Sequence, residues 1–268
     1  MSDALSPPAF LSAEDPSAVE IVNPEATSPL LITGDHAGNL VPRHLGHMGL
    51  PPGELTRHIG WDIGVAGVAR ALAARMNCTA VLASYTRLII DVNRPLGDPQ
   101  SIPPRSDGTV IVPNENLSED DRHARAGALF WPYHRCIDGN IGRLQRLGMM
   151  PVVLALHSFT PALNIGAKPR PWNVGVLYGL DERFANLLLA AFRGREGLVV
   201  GANEPYSGIT HGYGLKVHGI AHGLPHAELE IRQDQIGSKE GQERWADLLA
   251  EVLAPMMAHP DLHRIEHY

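Results

Sequence analysis

The sequence predicts an α/β domain with a mostly parallel sheet covered on both faces by helices. Three observations lead there. Apolar runs of 3–6 residues recur along the chain, bounded by Gly, Pro or polar residues. Amphipathic stretches of helical length lie between them. The residues that follow the runs are unusually rich in His, Asp, Asn and Arg. Short, wholly apolar runs suit strands buried on both faces, and strands alternating with helices build a parallel sheet.

In chain order, the first run is Pro29–Thr33, ending at Gly34. A helix is predicted over 62–77, because Val65, Val68, Ala69, Leu72 and Met76 share one face, with Asp62 as its N-cap. Strands are predicted at 79–83 and 87–91. A helix over 118–147 opens with the capping signal Ser118-Glu119-Asp120-Asp121 and stops at Gly148. Strands follow at 151–156, 174–178, 198–200 and 227–231, with helices over 181–194 and 240–257. Segments 35–61 and 93–117 match neither period. Loops of that length in a compact domain are often functional.

Composition sets the limits. With 268 residues, 44% hydrophobic and 19% charged, the chain is globular and long enough for one large domain. We expect a loose leader over 1–27 and a single domain over 28–268. A net charge of −7 argues against nucleic acid as a partner. Mean hydropathy is −0.08, and no run approaches the roughly 18 apolar residues of a membrane span. Met1–Pro16 lacks the basic-then-apolar pattern of a signal peptide, and two cysteines, Cys78 and Cys136, cannot form a disulfide framework. A cytoplasmic protein with reduced thiols is expected.

The 14 histidines stand out, since imidazole carries protons near neutral pH and ligates metals. In open α/β sheets ligands bind beyond the carboxyl ends of strands, so residues just after each run are the candidates. They are Asp35 and His36; Asp91, Asn93 and Arg94; His157 and Ser158; and Glu228, Glu230 and Arg232, with Asp62 at a helix start. Two such histidines with carboxylates suit a catalytic metal, which takes about three ligands and leaves a position for water. Ser158 is not read as a nucleophile, because the chain lacks a G-x-S-x-G elbow. Arg94 and Arg232 at run ends, and Arg87 at a run start, could grip carboxylates, which points to an anionic, dicarboxylic substrate.

Seven motifs then occur in order: G-D-H-A-G, H-I-G-W-D, R-L-I-I-D-V-N-R-P, A-L-H-S-F, P-W-N-V-G-V-L-Y, N-E-P-Y-S and E-L-E-I-R-Q-D. Together, over residues 28–235, they resemble the N-formylglutamate amidohydrolase family. The resemblance implies a three-layer α/β/α fold with a mixed, mostly parallel sheet, similar to zinc-dependent exopeptidases. It implies hydrolysis of the formamide of N-formyl-L-glutamate, or a related N-acyl amino acid, to formate and the free amino acid, in histidine catabolism. Such relatives hold zinc through His-x-x-Glu and a later His. Here Asn39 stands at the Glu position, so Asp62 is the replacement, giving a Zn2+ site of His36, Asp62 and His157. Glu230 fits the general base, with Glu228 on the same strand face as its rival, and Arg232 is placed with it in catalysis. Arg87, Asn93, Arg94 and Tyr206 are expected on the small anionic substrate, with Trp61 or Tyr206 walling the acyl side. Two other readings remain open: an N-acyl amino acid or peptide amidase on the same scaffold, and a non-catalytic carboxylate-binding protein that kept the fold.

Overall fold

The computed structural model describes residues 10–163 and 169–268; the first nine residues of the expected leader lie outside them. A seven-stranded mixed sheet forms the middle layer. Its strands are β1 (Val19–Val22), β2 (Leu30–Gly34), β3 (Thr79–Ala83), β6 (Val152–Phe159), β7 (Val174–Leu177), β8 (Val200–Ala202) and β9 (His226–Arg232). A separate small hairpin pairs β4 (Arg105–Ser106) with β5 (Thr109–Val110). The spatial order is β1-β3-β2-β6-β9-β7-β8. β3, β2, β6 and β9 run parallel, β7 and β8 run parallel to each other, β1 pairs antiparallel with β3, and β7 pairs antiparallel with β9.

Helices cover both faces. On one lie α1 (Val65–Met76), α4 (Arg183–Arg193) and α6 (Lys239–Met256), which bury Leu72, Phe184, Leu188, Leu249 and Leu253 against Leu30, Leu154 and Leu229. On the other lie α3 (Trp131–Arg146) and the short α5 (Tyr213–His218), where Phe130, Tyr133, Ile137 and Leu215 pack with Leu31, Val81 and Val153. Alternate residues of each strand thus feed opposite cores, as a period of two requires. That is why the runs are apolar throughout.

The expected strands at 29–33, 79–83, 151–156, 174–178 and 227–231 are present within a few residues, and the one at 198–200 sits two residues later. The strand expected at 87–91 is a correction. Those residues form hydrogen-bonded turns, with Ile89 N–H donating to Thr86 O and Asp91 N–H to Ser101 O. Leu88, Ile89 and Ile90 are buried because the 93–117 excursion folds over them, and an apolar run reports burial and not conformation. Asp62 is a second correction. The N-cap of α1 is Gly64, in the left-handed region, and the Asp62 carboxylate is directed elsewhere. Ser118 and Asp121 do form a reciprocal capping box on α2 (Glu119–Arg125). The helix expected over 118–147 is broken by a π turn, Ala126–Phe130, immediately before Pro132. Val19–Val22, inside the segment expected as a leader, adds the edge strand β1.

Candidate active site

The parallel strands β2, β6 and β9 deliver their carboxyl ends to one place. Leaving β2 at Gly34, the chain presents Asp35 and His36; β6 carries His157 and Ser158; β9 carries Glu228 and Glu230, with His157 in register beside Glu230. The loop before α1 brings in Asp62, whose N–H donates to His36 O at 2.8 Å. The 87–94 turns add Arg87, Asp91, Asn93 and Arg94. All of these except Asp35, which lies behind the histidines, line one cavity of about 160 Å³ together with His58, Phe159, Thr160, Tyr206, His211 and Gly212.

At its floor the two imidazoles meet edge to face, 5.0 Å apart between ring centres. His36 Nε2 lies 2.6 Å from Asp91 Oδ1, and its Nδ1 has no hydrogen-bond partner, resting 3.6 Å from Asp62 Oδ2. His157 Nδ1 lies 2.8 Å from that same Asp62 oxygen, and its Nε2 lies 3.1 Å from Asp35 Oδ2. Asp35 in turn accepts from the fully buried Tyr133 hydroxyl. Arg87 donates to Asp62 at 3.3 Å and to Asp91 at 3.2 Å. Glu230 Oε2 is buried without a partner.

Five buried carboxylates, Asp35, Asp62, Asp91, Glu228 and Glu230, therefore surround one guanidinium and two imidazoles. Burial pushes the Asp35, Asp62 and Asp91 carboxyls up, but facing cations outweigh it: His157 for Asp35, His36 and His157 for Asp62, His36 and Arg87 for Asp91. All three end below the usual carboxylate range. Burial, with Arg87, opposes charge on His36, yet Asp91 and Asp62 raise its imidazole. Burial likewise opposes charge on His157, and Glu228, Asp35 and Asp62 hold it well above its ordinary value. Burial raises Glu228, and raises Glu230 well above the ordinary carboxyl value. A cluster with this surplus of acid must hold protons or a cation.

The residues present fit a cation. Donor atoms of His36, Asp62 and His157 lie within 4.8 Å of one another, as do those of His157, Glu228 and Glu230. The orphaned His36 Nδ1 faces Asp62, while the far nitrogen of each ring is held by a carboxylate. That is the arrangement in which an outer carboxylate orients a metal-binding histidine. These buried groups could hold a metal ion.

The structure brings together His36, Asp62, His157, Glu228, Glu230, Arg87, Asn93, Arg94 and Tyr206. It does not bring Arg232, whose guanidinium binds the Asp234 carboxylate and the carbonyls of Pro171 and Trp172, outside the cavity lining. Trp61 is also elsewhere: its indole N–H donates to Thr56 O and it lines a different hollow, near β1. Asn39, at the position where relatives would carry Glu, donates to Leu55 O and takes no part. Asn93 does more than line the wall. Its Oδ1 accepts from Gly214 N–H and pins the start of α5 beside Asp35. Asp35 and Asp91 follow apolar runs and were visible as candidates, but their role behind the histidines was not. His58, His211 and Arg170 carried no signal of their own. Arg170 donates to the Tyr206 hydroxyl at 3.0 Å and stacks on its ring.

A family model described as N-formylglutamate amidohydrolase matches residues 28–237. Among curated proteins none matches the chain. Among solved structures, the gene product Atu2144 from Agrobacterium tumefaciens is 32% identical, with a TM-score of 0.87, covering 93% of this chain and 98% of that one. An N-formylglutamate amidohydrolase from Ralstonia eutropha JMP134 shares the fold at 22% identity and a TM-score of 0.66, over 90% of this chain and 97% of that one. The matched stretch contains every strand-end residue of the cavity, and the chain belongs to the N-formylglutamate amidohydrolase family, enzymes that hydrolyse an amide.

Proposed function

We propose that this enzyme is a metal-dependent amidohydrolase that cleaves the formamide of N-formyl-L-glutamate, or of a closely related N-acyl amino acid, to formate and the free amino acid. One observation carries the reading. The unpaired Nδ1 of His36 faces the Asp62 carboxylate beside His157, and an unpaired oxygen of Glu230 borders the same cavity. An enzyme that needed neither a cation nor a proton carrier there would leave two buried polar atoms unsatisfied, at a cost of roughly 1–3 kcal/mol each.

His36, Asp62 and His157 would hold the ion. Two imidazoles and a carboxylate with a position left open are a donor set zinc takes in hydrolytic sites, so Zn2+ is the ion assigned. When bound, it polarises the formyl oxygen and acidifies water. The protein's own groups do the rest. Glu230, next to His157 across the β6–β9 pair, takes a proton as water adds to the formyl carbon. It returns that proton to nitrogen as the C–N bond breaks. Burial raises its proton affinity, which suits a group that must hold a proton between the two transfers. Arg87, on the cavity wall, places positive charge near the developing oxyanion. Arg94 lines the same cavity without a carboxylate partner among the described residues and receives the substrate carboxylate. The same reading assigns the reaction to histidine catabolism.

The test is formate release from N-formyl-L-glutamate by the protein as purified, after chelation, and after zinc is restored. The expected result is stoichiometric metal, loss of turnover on chelation and recovery with zinc. Full turnover by metal-free protein would refute the metal-dependent reading.

A further inference from the structure

The catalytic cavity does not end at its own walls. His58, Arg87, Asp91, Arg94 and Tyr206 line both it and a second cavity of about 530 Å³. The far side of this chamber is built by the β4–β5 hairpin, through Arg105, Ser106, Asp107 and Gly108, and by Gln100, Pro103 and Leu163. The two spaces therefore form one passage. Its inner part, of about 160 Å³, meets the histidines and glutamates, and its outer part is more than three times larger.

The inner part suits an acyl carbon and the amide. The outer part is too large for what remains of N-formylglutamate. Its volume exceeds what a side chain of two methylenes and a carboxylate displaces. Its wall is also mixed. Ile59, Leu88, Pro103 and Leu163 offer apolar surface, Gln100 and Ser106 offer hydrogen-bonding groups, and Arg94 and Arg105 stand at the neck and the far side. Arg94 is half-buried and has no acid partner among the described residues. Arg105 is exposed and, among the described residues, makes only a long contact, 3.5 Å, to Gly108 O. Mixed walls with a cation beyond them are what a further amino-acid residue ending in a carboxylate would need.

We propose that the outer chamber is a binding subsite for a second residue on the amine side of the scissile amide. The chemical class taken there is an N-formyl dipeptide with a free terminal carboxylate, its first residue at Arg94 and its carboxylate toward Arg105. This rests on the amide-hydrolase reading above.

The experiment compares kcat/KM for N-formyl-L-glutamate, for N-formyl-L-glutamyl dipeptides with small or apolar second residues, and for the same dipeptides as C-terminal amides. The expected result is dipeptide turnover at least equal to that of N-formyl-L-glutamate, with a tenfold or greater preference for the free carboxylate. Arg105→Ala should abolish that preference. Ser106→Trp, which fills the chamber, should lower the ratio of dipeptide to single-residue kcat/KM at least tenfold. Gln100→Trp, at an exposed position on the same wall, gives the same reading if the first variant does not fold. Turnover of N-formyl-L-glutamate with dipeptides below a tenth of its rate constant would overturn the subsite and leave the hydrolase reading intact. Equal losses on both substrates in the filled variants would overturn it too. Turnover of neither substrate by zinc-loaded protein would remove the hydrolase reading, and the subsite with it.

Discussion

Among the described residues two buried histidine clusters are present, and only one borders the candidate active-site cavity. At the strand ends, His36 and His157 sit among Asp35, Asp62 and Asp91. Between α3 and α5, His134 and His218 stack 5.0 Å apart, with His134 Nδ1 2.7 Å from His218 Nε2, His134 Nε2 2.9 Å from Val92 O and His218 Nδ1 2.8 Å from Asp138 Oδ1. In the second cluster every ring nitrogen has a partner. In the first, His36 Nδ1 and the neighbouring Glu230 Oε2 have none. The charge balance differs as well. Acid surrounds the strand-end pair and raises both imidazoles. Burial dominates the helix pair, holding His218 below its ordinary value and His134 down at about 4. A closed network fastens elements together, whereas an open one is built to receive something. Buried histidine alone does not distinguish the two, nor does an unsatisfied atom alone, since His226 Nε2 is also buried without a partner away from the cavity; the unsatisfied atom among surplus acid does.

The largest effect that would break this contrast is at Glu230. Glu230→Gln keeps the shape and removes the proton carrier, so kcat should fall by about 10²–10⁴ with metal content unchanged. Glu228 lies on the same strand face two residues away. If Glu228→Gln is dead and Glu230→Gln is active, the base is Glu228 and the register of the proposal moves by one pair.

A smaller effect is expected one bond further out. Asp35 touches no substrate; it holds His157 Nε2 and is itself held by Tyr133. Asp35→Asn should weaken metal binding by about 10–100-fold, measured by competition with a chelator, and excess zinc should restore much of the activity. If affinity is unchanged, the carboxylate is not orienting the ring, and the open cluster is less organised than its geometry indicates.

Much of this molecule was legible from its sequence, in a pattern with physical causes. Strands at the centre of the sheet, such as 29–33 and 151–156, are buried on both faces and so spell apolar runs. β1 is a half-exposed edge strand with Glu20 in it, and gives no such run. Residues 87–91 spell one and are not a strand, because a turn packed under the 93–117 excursion is equally dry. His36, His157 and Glu230 could be found because strand ends converge in α/β sheets. Arg232 also follows a strand, but its guanidinium turns to Asp234 and two carbonyls, a local choice that no periodicity encodes. Arg170, which holds the Tyr206 hydroxyl, and the β4–β5 hairpin come to the site from outside the sheet, where sequence position says nothing about proximity.

The smallest effect expected belongs to the closed cluster, and it should appear in stability and not in chemistry. Val92 O and the Asp138 carboxylate can only accept, so in the neutral pair His134 carries its proton on Nε2 and His218 carries its proton on Nδ1. Burial, with His218 beside it, opposes a positive charge on His134. Its folded value of about 4 lies below the ordinary 6.5. The unfolded chain therefore binds more protons than the folded one between those values, and stability rises with pH across that window. The contribution is fully present above about pH 6.5 and is lost as pH falls toward 4. His134→Phe should cost about 1–2 kcal/mol at pH 7, since Val92 O loses its donor, and should flatten the stability profile between pH 6.5 and 4. Metal content and kcat at pH 7 should be those of the unaltered protein. Denaturant unfolding at a series of pH values measures the slope. If His134→Phe leaves the slope unchanged but strips the metal, the two clusters are not separate devices, and α5, which carries His218 and adjoins Gly212 on the cavity wall, is the element that joins them.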